Sequence, residues 1–321
     1  MKVVVLVPCF NEETTVAQVI KDFRTALPEA EIVVCDNNST DRTAEHARIA
    51  GATVYSEHRR GKGFVVSRMF QEIDADVYVI VDGDSTYPAT AVRKLIAPIV
   101  EDKADMVVGS RLHQGSQSQF RFVNRVGNHF FAYMFRLLFK SKLTDILSGY
   151  RAFNRAFIRN VPLFGGGFEV EAELTVKALL GGFRIIEIPV NLTHRPPQSQ
   201  SKIRIVHDGW VILSTILALV RDYKPLTIFG TAGLLFIAIG ALPGAISVRD
   251  YIRQGDLTSP AAAAIGVWFM TVGILLVVAG FILHSVSRHF QELTYRLRRI
   301  EGDLSLDSPR KRTAGTSPRA G

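Results

Sequence analysis

Two cysteines in 321 residues are too few for a disulfide scaffold, and both of them, Cys9 and Cys35, lie inside short apolar runs. A Cys-based zinc site is excluded with it, and the soluble part of the chain is expected in reducing cytosol. The turn after the first apolar run lacks the glycines of a dinucleotide fingerprint and reads Pro8-Cys9-Phe10-Asn11-Glu12-Glu13, which removes most of the weight from hydride transfer. An N-terminal signal peptide is not expected either, since the opening run Val3 to Val7 is short and stops at Pro8. The formal charge is +8, but the basic residues are not interleaved with aromatics along one stripe. They gather beside apolar segments, so anionic lipid heads are the expected partner and nucleic acid is not. No internal repeat is visible.

What the chain does have is two long runs without a formal charge, Pro225 to Val248 and Leu257 to Ser287. At about 1.5 Å per residue each exceeds the ~30 Å hydrocarbon core of a bilayer, so both read as membrane spans. Arg221 and Lys224 precede the first, and Arg288, Arg296, Arg298 and Arg299 follow the second, whereas the short link balances Arg249 and Arg253 with Asp250 and Asp256. The positive-inside rule then places both termini in the cytosol and the link outside. Val206, Trp210, Leu213, Leu217 and Val220 recur at helical spacing, which predicts an in-plane surface helix ahead of the first span. The expected organisation is a catalytic domain over 1–205, a juxtamembrane helix over 206–224, spans over 225–248 and 259–287 around an outer loop 249–258, a cytosolic helix over 288–302 and a disordered basic tail over 303–321. In the 288–302 helix, Phe290, Leu293, Leu297 and Ile300 form a stripe that could pair subunits as a homo-oligomer.

Before residue 115, strand-length apolar runs (Val3 to Val7, Ile32 to Cys35, Thr53 to Tyr55, Val77 to Val81, Met106 to Val108) alternate with helix-length stretches. That alternation predicts an α/β, doubly wound and mostly parallel sheet covered on both faces, with ligands at the carboxyl ends of its strands. The residues just past those ends are polar or acidic: Phe10 to Glu12, Asp36 to Asp41, and Asp82-Gly83-Asp84. In extended chain the carboxylates of Asp82 and Asp84 point the same way, and Gly83 permits close approach, so the pair could hold one hard cation, Mg²⁺ or Mn²⁺, bridging a diphosphate. Glu169, Glu171 and Glu173 would splay on a helix, so at least two of them are expected to be solvated.

The runs Val5 to Glu13, Val33 to Thr43, Gly61-Lys62-Gly63 and Asp82 to Pro88 resemble the nucleotide-sugar domain of family 2 glycosyltransferases over about the first 205 residues. Val108 to Arg111, the Asn124 to Asn128 region, Thr144 to Arg151 and Ser201-Lys202, ahead of a membrane hairpin, narrow the resemblance to the polyprenyl-phosphate sugar transferases. It implies a GT-A type fold and inverting, metal-dependent transfer of one sugar from a nucleotide-diphosphate donor to polyprenyl phosphate. UDP-glucose is the first expectation, ahead of UDP-N-acetylhexosamine and GDP-mannose. By the same resemblance Pro8, Phe10, Asn11 and Glu12 line the base pocket, Asp36 contacts the base, and Lys62, Asp82, Gly83 and Asp84 serve the sugar diphosphate and metal. Arg195 and Lys202 match a basic loop that closes over the donor, Arg111, Arg121 and Arg125 face the acceptor phosphate, and Asp145 is the catalytic carboxylate alongside Asp84. The chain departs from the family at Asp36-Asn37-Asn38-Ser39, where Asp-Asp-Gly-Ser is common, and at Thr86, where some relatives carry Gln. A chain-elongating family 2 polysaccharide synthase and a catalytically silent membrane scaffold or flippase component are the rival readings; the first would carry a Gln-x-x-Arg-Trp motif, and neither Trp210 nor Trp268 follows Arg.

Overall fold

The computed structural model describes residues 1–111, 133–137, 139, 141–167, 169–193, 205–255 and 259–307. They fall into two compact units, Met1–Leu219 and Val220–Gly321.

The first unit is a seven-stranded sheet in the order β3-β2-β1-β4-β6-β5-β7. Its strands are β1 (Val3–Cys9), β2 (Glu31–Asp36), β3 (Thr53–Ser56), β4 (Val77–Ile80), β5 (Met106–Ser110), β6 (Arg151–Asn154) and β7 (Ile185–Pro189). All pairings are parallel except those of β6, which runs antiparallel between β4 and β5. Alternation along β1 divides the core. Val3, Val5 and Val7 pack with Val16, Val19, Ile20 and Phe23 of α1 (Val16–Ala26) and with Val92 and Leu95 of α4 (Val92–Val100). Val4 and Leu6 face the other way, toward Val65, Val66 and Met69 of α3 (Lys62–Glu72), Phe157 of α5 (Arg155–Asn160) and Leu174 of α6 (Val170–Leu180). The i, i+3, i+4, i+7 spacing on α1 makes it a one-faced helix, and each such buried side chain contributes about 1.5–3 kcal/mol. A short helix, α2 (Thr43–Ile49), links β2 and β3.

Because β6 is reversed, its N-terminal end joins the carboxyl ends of β1, β2, β4, β5 and β7 at a single edge of the sheet. The loops at that edge hold three non-glycine residues with positive φ, Asn11 (52°), Asn38 (56°) and Ser85 (59°). Asn tolerates this conformation; for Ser85 it costs about 1–2 kcal/mol, set against a bond from the Thr193 hydroxyl to its carbonyl at 2.6 Å.

Helix α7 (Ile205–Tyr223) covers the expected surface helix, but its burial splits the expected stripe. Ile212, Ile216 and Val220 are buried, whereas Trp210 and Leu217 are exposed, Trp210 at 70%. The helix therefore carries two apolar faces rather than one. In the segment around 133–137, Phe135 is buried while Tyr133 and Leu137 are exposed.

The second unit is built on α8 (Pro225–Gln254) and α9 (Pro260–Asp307). Two windows, Pro225–Gln254 and Pro260–Phe290, are long and apolar enough to cross a membrane. Residues 249–254, expected in the outer loop, continue α8 until Gly255 ends it with φ 73°, and residues 288–302, expected as a helix extending from the second span, are one piece with α9. The two helices meet through glycine. A Cβ on Gly233 would lie 2.6 Å from the Gly273 carbonyl oxygen, and one on Gly240 would lie 2.7 Å from that of Gly266. Small residues at such contacts let two backbones approach closely.

Candidate active site

Strand β4 ends at Ile80, and the next residues out of the sheet are Asp82, Gly83 and Asp84. Gly83 sits under β1: a Cβ there would be 2.6 Å from Cys9 Sγ. Its carbonyl accepts from the Thr15 hydroxyl at 2.6 Å, and the same hydroxyl lies 3.2 Å from buried Glu12 Oε2. Asp84 is buried, and its Oδ1 accepts from the Thr86 hydroxyl at 2.6 Å and the Thr86 backbone N–H at 3.1 Å. Thr86, the departure from relatives with Gln, thus orients the second carboxylate of the turn.

Asp82 has a cation on it. Lys62 Nζ donates to Asp82 Oδ1 at 2.5 Å and to Glu171 Oε1 at 2.5 Å, and its side chain is 12% exposed. Burial opposes that charge, but the two carboxylates outweigh it, so the ammonium is held above the ordinary lysine range. The Gly61-Lys62-Gly63 turn is seated on a second glycine turn, with the Gly63 N–H donating to the carbonyls of Gly166 and Gly167 at 3.2 and 3.1 Å. Any Cβ on Gly61 or Gly63 would collide with a backbone carbonyl of Gly166 or Gly165, which is why both positions are glycine.

The expectation that most of Glu169, Glu171 and Glu173 are solvated is corrected: all three are buried. Glu173 accepts from the backbone N–H groups of Phe164 and Gly165, both at 2.9 Å, and pairs with Lys177 at 2.6 Å. Glu169 accepts from Gly167 N–H at 2.9 Å. The start of α6 is a carboxylate platform beneath the glycine turn, and helix N-termini favour such charges.

At the end of β2, buried Asp36 uses Oδ2 to accept from Ser39 N–H at 3.2 Å, whereas its buried Oδ1 has no hydrogen-bond partner among the described residues. Asn37, at the first departure from the family pattern, is fully engaged: Nδ2 donates to the carbonyls of Glu57 and Arg59 at 3.2 and 2.7 Å, and Oδ1 accepts from Gly61 N–H at 2.7 Å. It anchors the loop that delivers Lys62. Beside it, Asn11 Oδ1 accepts from Thr40 N–H at 2.8 Å, and the Arg60 guanidinium stands 5.3 Å from the Phe10 ring centre. Pro8 pairs with Cys35 in the β1–β2 ladder.

Past β5, Arg111 grips Asp145. Its Nε donates to Oδ2 at 2.8 Å, its Nη2 to Oδ1 at 2.9 Å and its backbone N–H to Oδ2 at 2.9 Å. The Asp145 side chain is wholly buried, and its carboxylate holds the Arg111 guanidinium above its ordinary range against the opposing effect of burial. The following turn rests on Arg151, fully buried, which donates to the carbonyls of Ser148 and Ile146 at 2.8 and 2.6 Å and to the Thr175 hydroxyl at 2.9 Å. Burial lowers that guanidinium to about 10, although Glu171 and Asp145 support its charge. Gly149 in this turn abuts Asp82, with space there for no Cβ.

The sheet edge thus brings together Phe10, Asn11, Glu12, Asp36, Lys62, Asp82, Gly83, Asp84, Arg111 and Asp145 from the residues anticipated in the sequence. Arg121, Arg125, Arg195 and Lys202 lie outside the described residues. Asn37, Glu171 and Arg151 were not anticipated as site residues, although Asn37 marks a departure from the family pattern, Arg151 closes the Thr144 to Arg151 run of the resemblance, and Glu171 was expected only as a solvated helix residue.

A family model described as Glycosyl transferase family 2 matches residues 4–161. The dolichyl-phosphate hexose transferase of Haloferax volcanii is 30% identical over 61% of this chain and 85% of its own length. The chain belongs to glycosyltransferase family 2. A second relative, glycosyltransferase AglJ of the same organism, is 29% identical over 93% of this chain and 98% of its own length. The glucosyl-3-phosphoglycerate synthase of Mycobacterium tuberculosis superposes with a TM-score of 0.57 at 23% identity, over 68% of this chain and 80% of that one, which establishes the GT-A-like fold. That synthase has been crystallised with Mn²⁺ and UDP. As a member of that family the chain is a glycosyltransferase, and its relatives include hexose transferases.

The donor set fits a divalent cation. Asp82 and Asp84 offer hard carboxylate oxygens one residue apart, and no group of three or more His, Cys, Asp or Glu side chains forms a complete cage among the described residues. Mg²⁺ and Mn²⁺ are held in this way, by one or two carboxylates, with substrate phosphate and water supplying the remaining ligands.

Proposed function

We propose that this enzyme transfers one sugar from a nucleotide-diphosphate donor to a polyprenyl phosphate at the cytosolic face of a membrane, with inversion at the anomeric carbon. The observation that carries the reading is the acidic turn Asp82-Gly83-Asp84, set beside Lys62 at the ligand-binding edge of a family 2 domain whose chain continues, one residue past α7, into two helices long and apolar enough to span a bilayer. The name of the Haloferax dolichyl-phosphate hexose transferase supports the lipid acceptor.

In this reading Asp36, with its unpartnered Oδ1, receives an N–H of the base, and Phe10 and Arg60 flank it. Asp82 and Asp84 would hold Mg²⁺ or Mn²⁺, whose charge would offset that of the diphosphate leaving group. A phosphate oxygen of the acceptor forms the new bond to the anomeric carbon as the bond to the diphosphate breaks and the nucleoside diphosphate departs. With a second pKa of about 6, the acceptor phosphate is mostly a dianion at neutral pH, so no strong general base is required. Asp145 suits that chemistry as the residue that fixes Arg111, and Arg111 supplies a planar fork of donors for the acceptor phosphate. Arg121, Arg125, Arg195 and Lys202 are proposed to extend the phosphate contacts. UDP-glucose is the proposed donor, ahead of UDP-N-acetylhexosamine and GDP-mannose.

A radiolabelled panel of nucleotide sugars, incubated with the purified enzyme and a lipid extract, tests this. Label should enter the lipid phase from one donor and be released as free monosaccharide by mild acid. Label in acid-stable oligosaccharide would instead favour a chain-elongating synthase.

A further inference from the structure

Lys62 sits where a metal ligand would need room. Its ammonium is 2.5 Å from Asp82 Oδ1, and a divalent ion bound to the same oxygen would be brought into direct repulsion with it. Asp82 cannot swing toward β6, because Gly149 already lies against its carboxylate. The backbone of Lys62 cannot retreat either, because Gly61 and Gly63 are packed against the carbonyls of Gly165 and Gly166. What can move is the lysine side chain, with four rotatable carbons and a second carboxylate in hand: Glu171 Oε1, also at 2.5 Å, on the first turn of α6.

We propose that Lys62 is an exchangeable counter-ion for Asp82, neutralising that carboxylate in the empty site and releasing it when a divalent cation arrives with the donor diphosphate, while Glu171 retains the ammonium. Glu171 is then a positioning residue. It keeps a nearly buried ammonium paired after Asp82 is lost, at the side of the incoming diphosphate, to which lysine can donate. Formal charge agrees: Asp82, Asp84 and Glu171 against Lys62 leave two negative charges, which one divalent cation closes. This inference rests on the metal-assisted reading given above.

The test is Mn²⁺ binding to the full-length enzyme in detergent, followed by the electron paramagnetic resonance signal of free Mn²⁺, with and without UDP. Without UDP, Lys62→Gln should bind Mn²⁺ more tightly, on the order of tenfold for one lost competitor of a partly buried carboxylate. With Mn²⁺ present, the same variant should bind UDP more weakly. These opposite signs are not expected of a merely structural lysine. Glu171→Gln, which leaves the ammonium to Asp82 alone, should weaken Mn²⁺ binding. Equal or weaker Mn²⁺ affinity in folded Lys62→Gln overturns the exchange, as does unchanged affinity in Glu171→Gln or loss of fold in both variants. If the unaltered enzyme binds no Mn²⁺ with or without UDP, the exchange and the metal-assisted reading fall together; UDP-dependent Mn²⁺ binding that is indifferent to Lys62 removes the exchange alone.

Discussion

The Arg111 guanidinium lies bidentate on the Asp145 carboxylate, at 2.8 and 2.9 Å, with Asp145 fully shielded from solvent. Removing one partner strands the other. Arg111→Ala should therefore lower stability by about 3–5 kcal/mol, in addition to any loss of acceptor use. The paired change Arg111→Met with Asp145→Asn, whose side-chain carbonyl can still accept from the backbone N–H of residue 111, should recover most of that loss in thermal unfolding, while transfer to polyprenyl phosphate stays absent and UDP binding persists. If the double variant regains transfer, the pair serves the fold and not the acceptor.

Asp84→Asn should leave the fold intact, since the side-chain carbonyl can still accept from the Thr86 hydroxyl, now at 2.6 Å from Oδ1. Mn²⁺ binding and transfer should both disappear, because the amide has lost the charge a hard divalent ion requires. Retained turnover with unaltered metal dependence would remove Asp84 from the site.

The parallel strands β1 to β5 were legible because strands buried on both faces are continuous apolar, largely β-branched runs, as in Val3 to Val7 and Val77 to Ile80, whereas β7, parallel to β5, was not anticipated. Strand β6 was not, since it is short, begins with Arg151 and has no apolar run of its own. The acidic turn and Lys62 were readable from position after β4 and from the Gly-Lys-Gly pattern. The carboxylates of α6 were misread because solvation is the usual fate of charged residues on a helix. Here their partners are backbone N–H groups at Phe164, Gly165 and Gly167 and the ammonium of Lys62, more than a hundred residues away in sequence, which no local pattern announces.

Glu57 gives the site loop a pH dependence. The side-chain hydrogen bond from Arg59, aided by its backbone N–H and opposed by burial, holds the Glu57 carboxyl down to about 2 from an ordinary 4.5. A lowered carboxyl stabilises the fold fully above 4.5 and loses that contribution as pH falls toward 2. Arg59 is largely exposed, so solvent screening limits the effect to about 1 kcal/mol. Glu57→Gln should accordingly cost about that much at pH 7 and nothing near pH 2, measured as unfolding midpoints across the range. An equal cost at both ends would refute the linkage.

The glycine contact between α8 and α9 predicts a steric penalty. Gly273→Val places a side chain against the Gly233 carbonyl and Ile237, and such overpacking costs about 1–3 kcal/mol. The thermal midpoint in detergent should fall, whereas Gly209→Ala, inside α7 with nothing within 4 Å of the new Cβ, should leave it unchanged or raise it, because alanine favours a helix over glycine. Equal behaviour of the two variants would mean that the close approach of the helices is not required.

The two apolar helices are expected to anchor rather than transport. Pro225 to Val248 and Pro260 to Ser287 contain no Asp, Glu, Lys or Arg, and ionisable groups inside a membrane are the usual marks of an ion or substrate path. The compact unit Met1–Leu219 includes every described residue of the candidate site, and α7 ends at Tyr223, before α8 begins. Truncation after Tyr223 should therefore keep donor and Mn²⁺ binding and transfer to a short, detergent-solubilised polyprenyl phosphate. Transfer to long acceptors in bilayers should fall, because exposed Trp210 and Leu217 leave only interfacial attachment, which is weaker and reversible. The truncated chain also loses the bond from Ser287 Oγ to the Asp222 carbonyl at 3.2 Å, so its last turn of α7 should fray. A folded truncation that binds donor and metal yet transfers nothing to the short acceptor would place part of the acceptor site on α8 and α9, and the anchor reading would be abandoned.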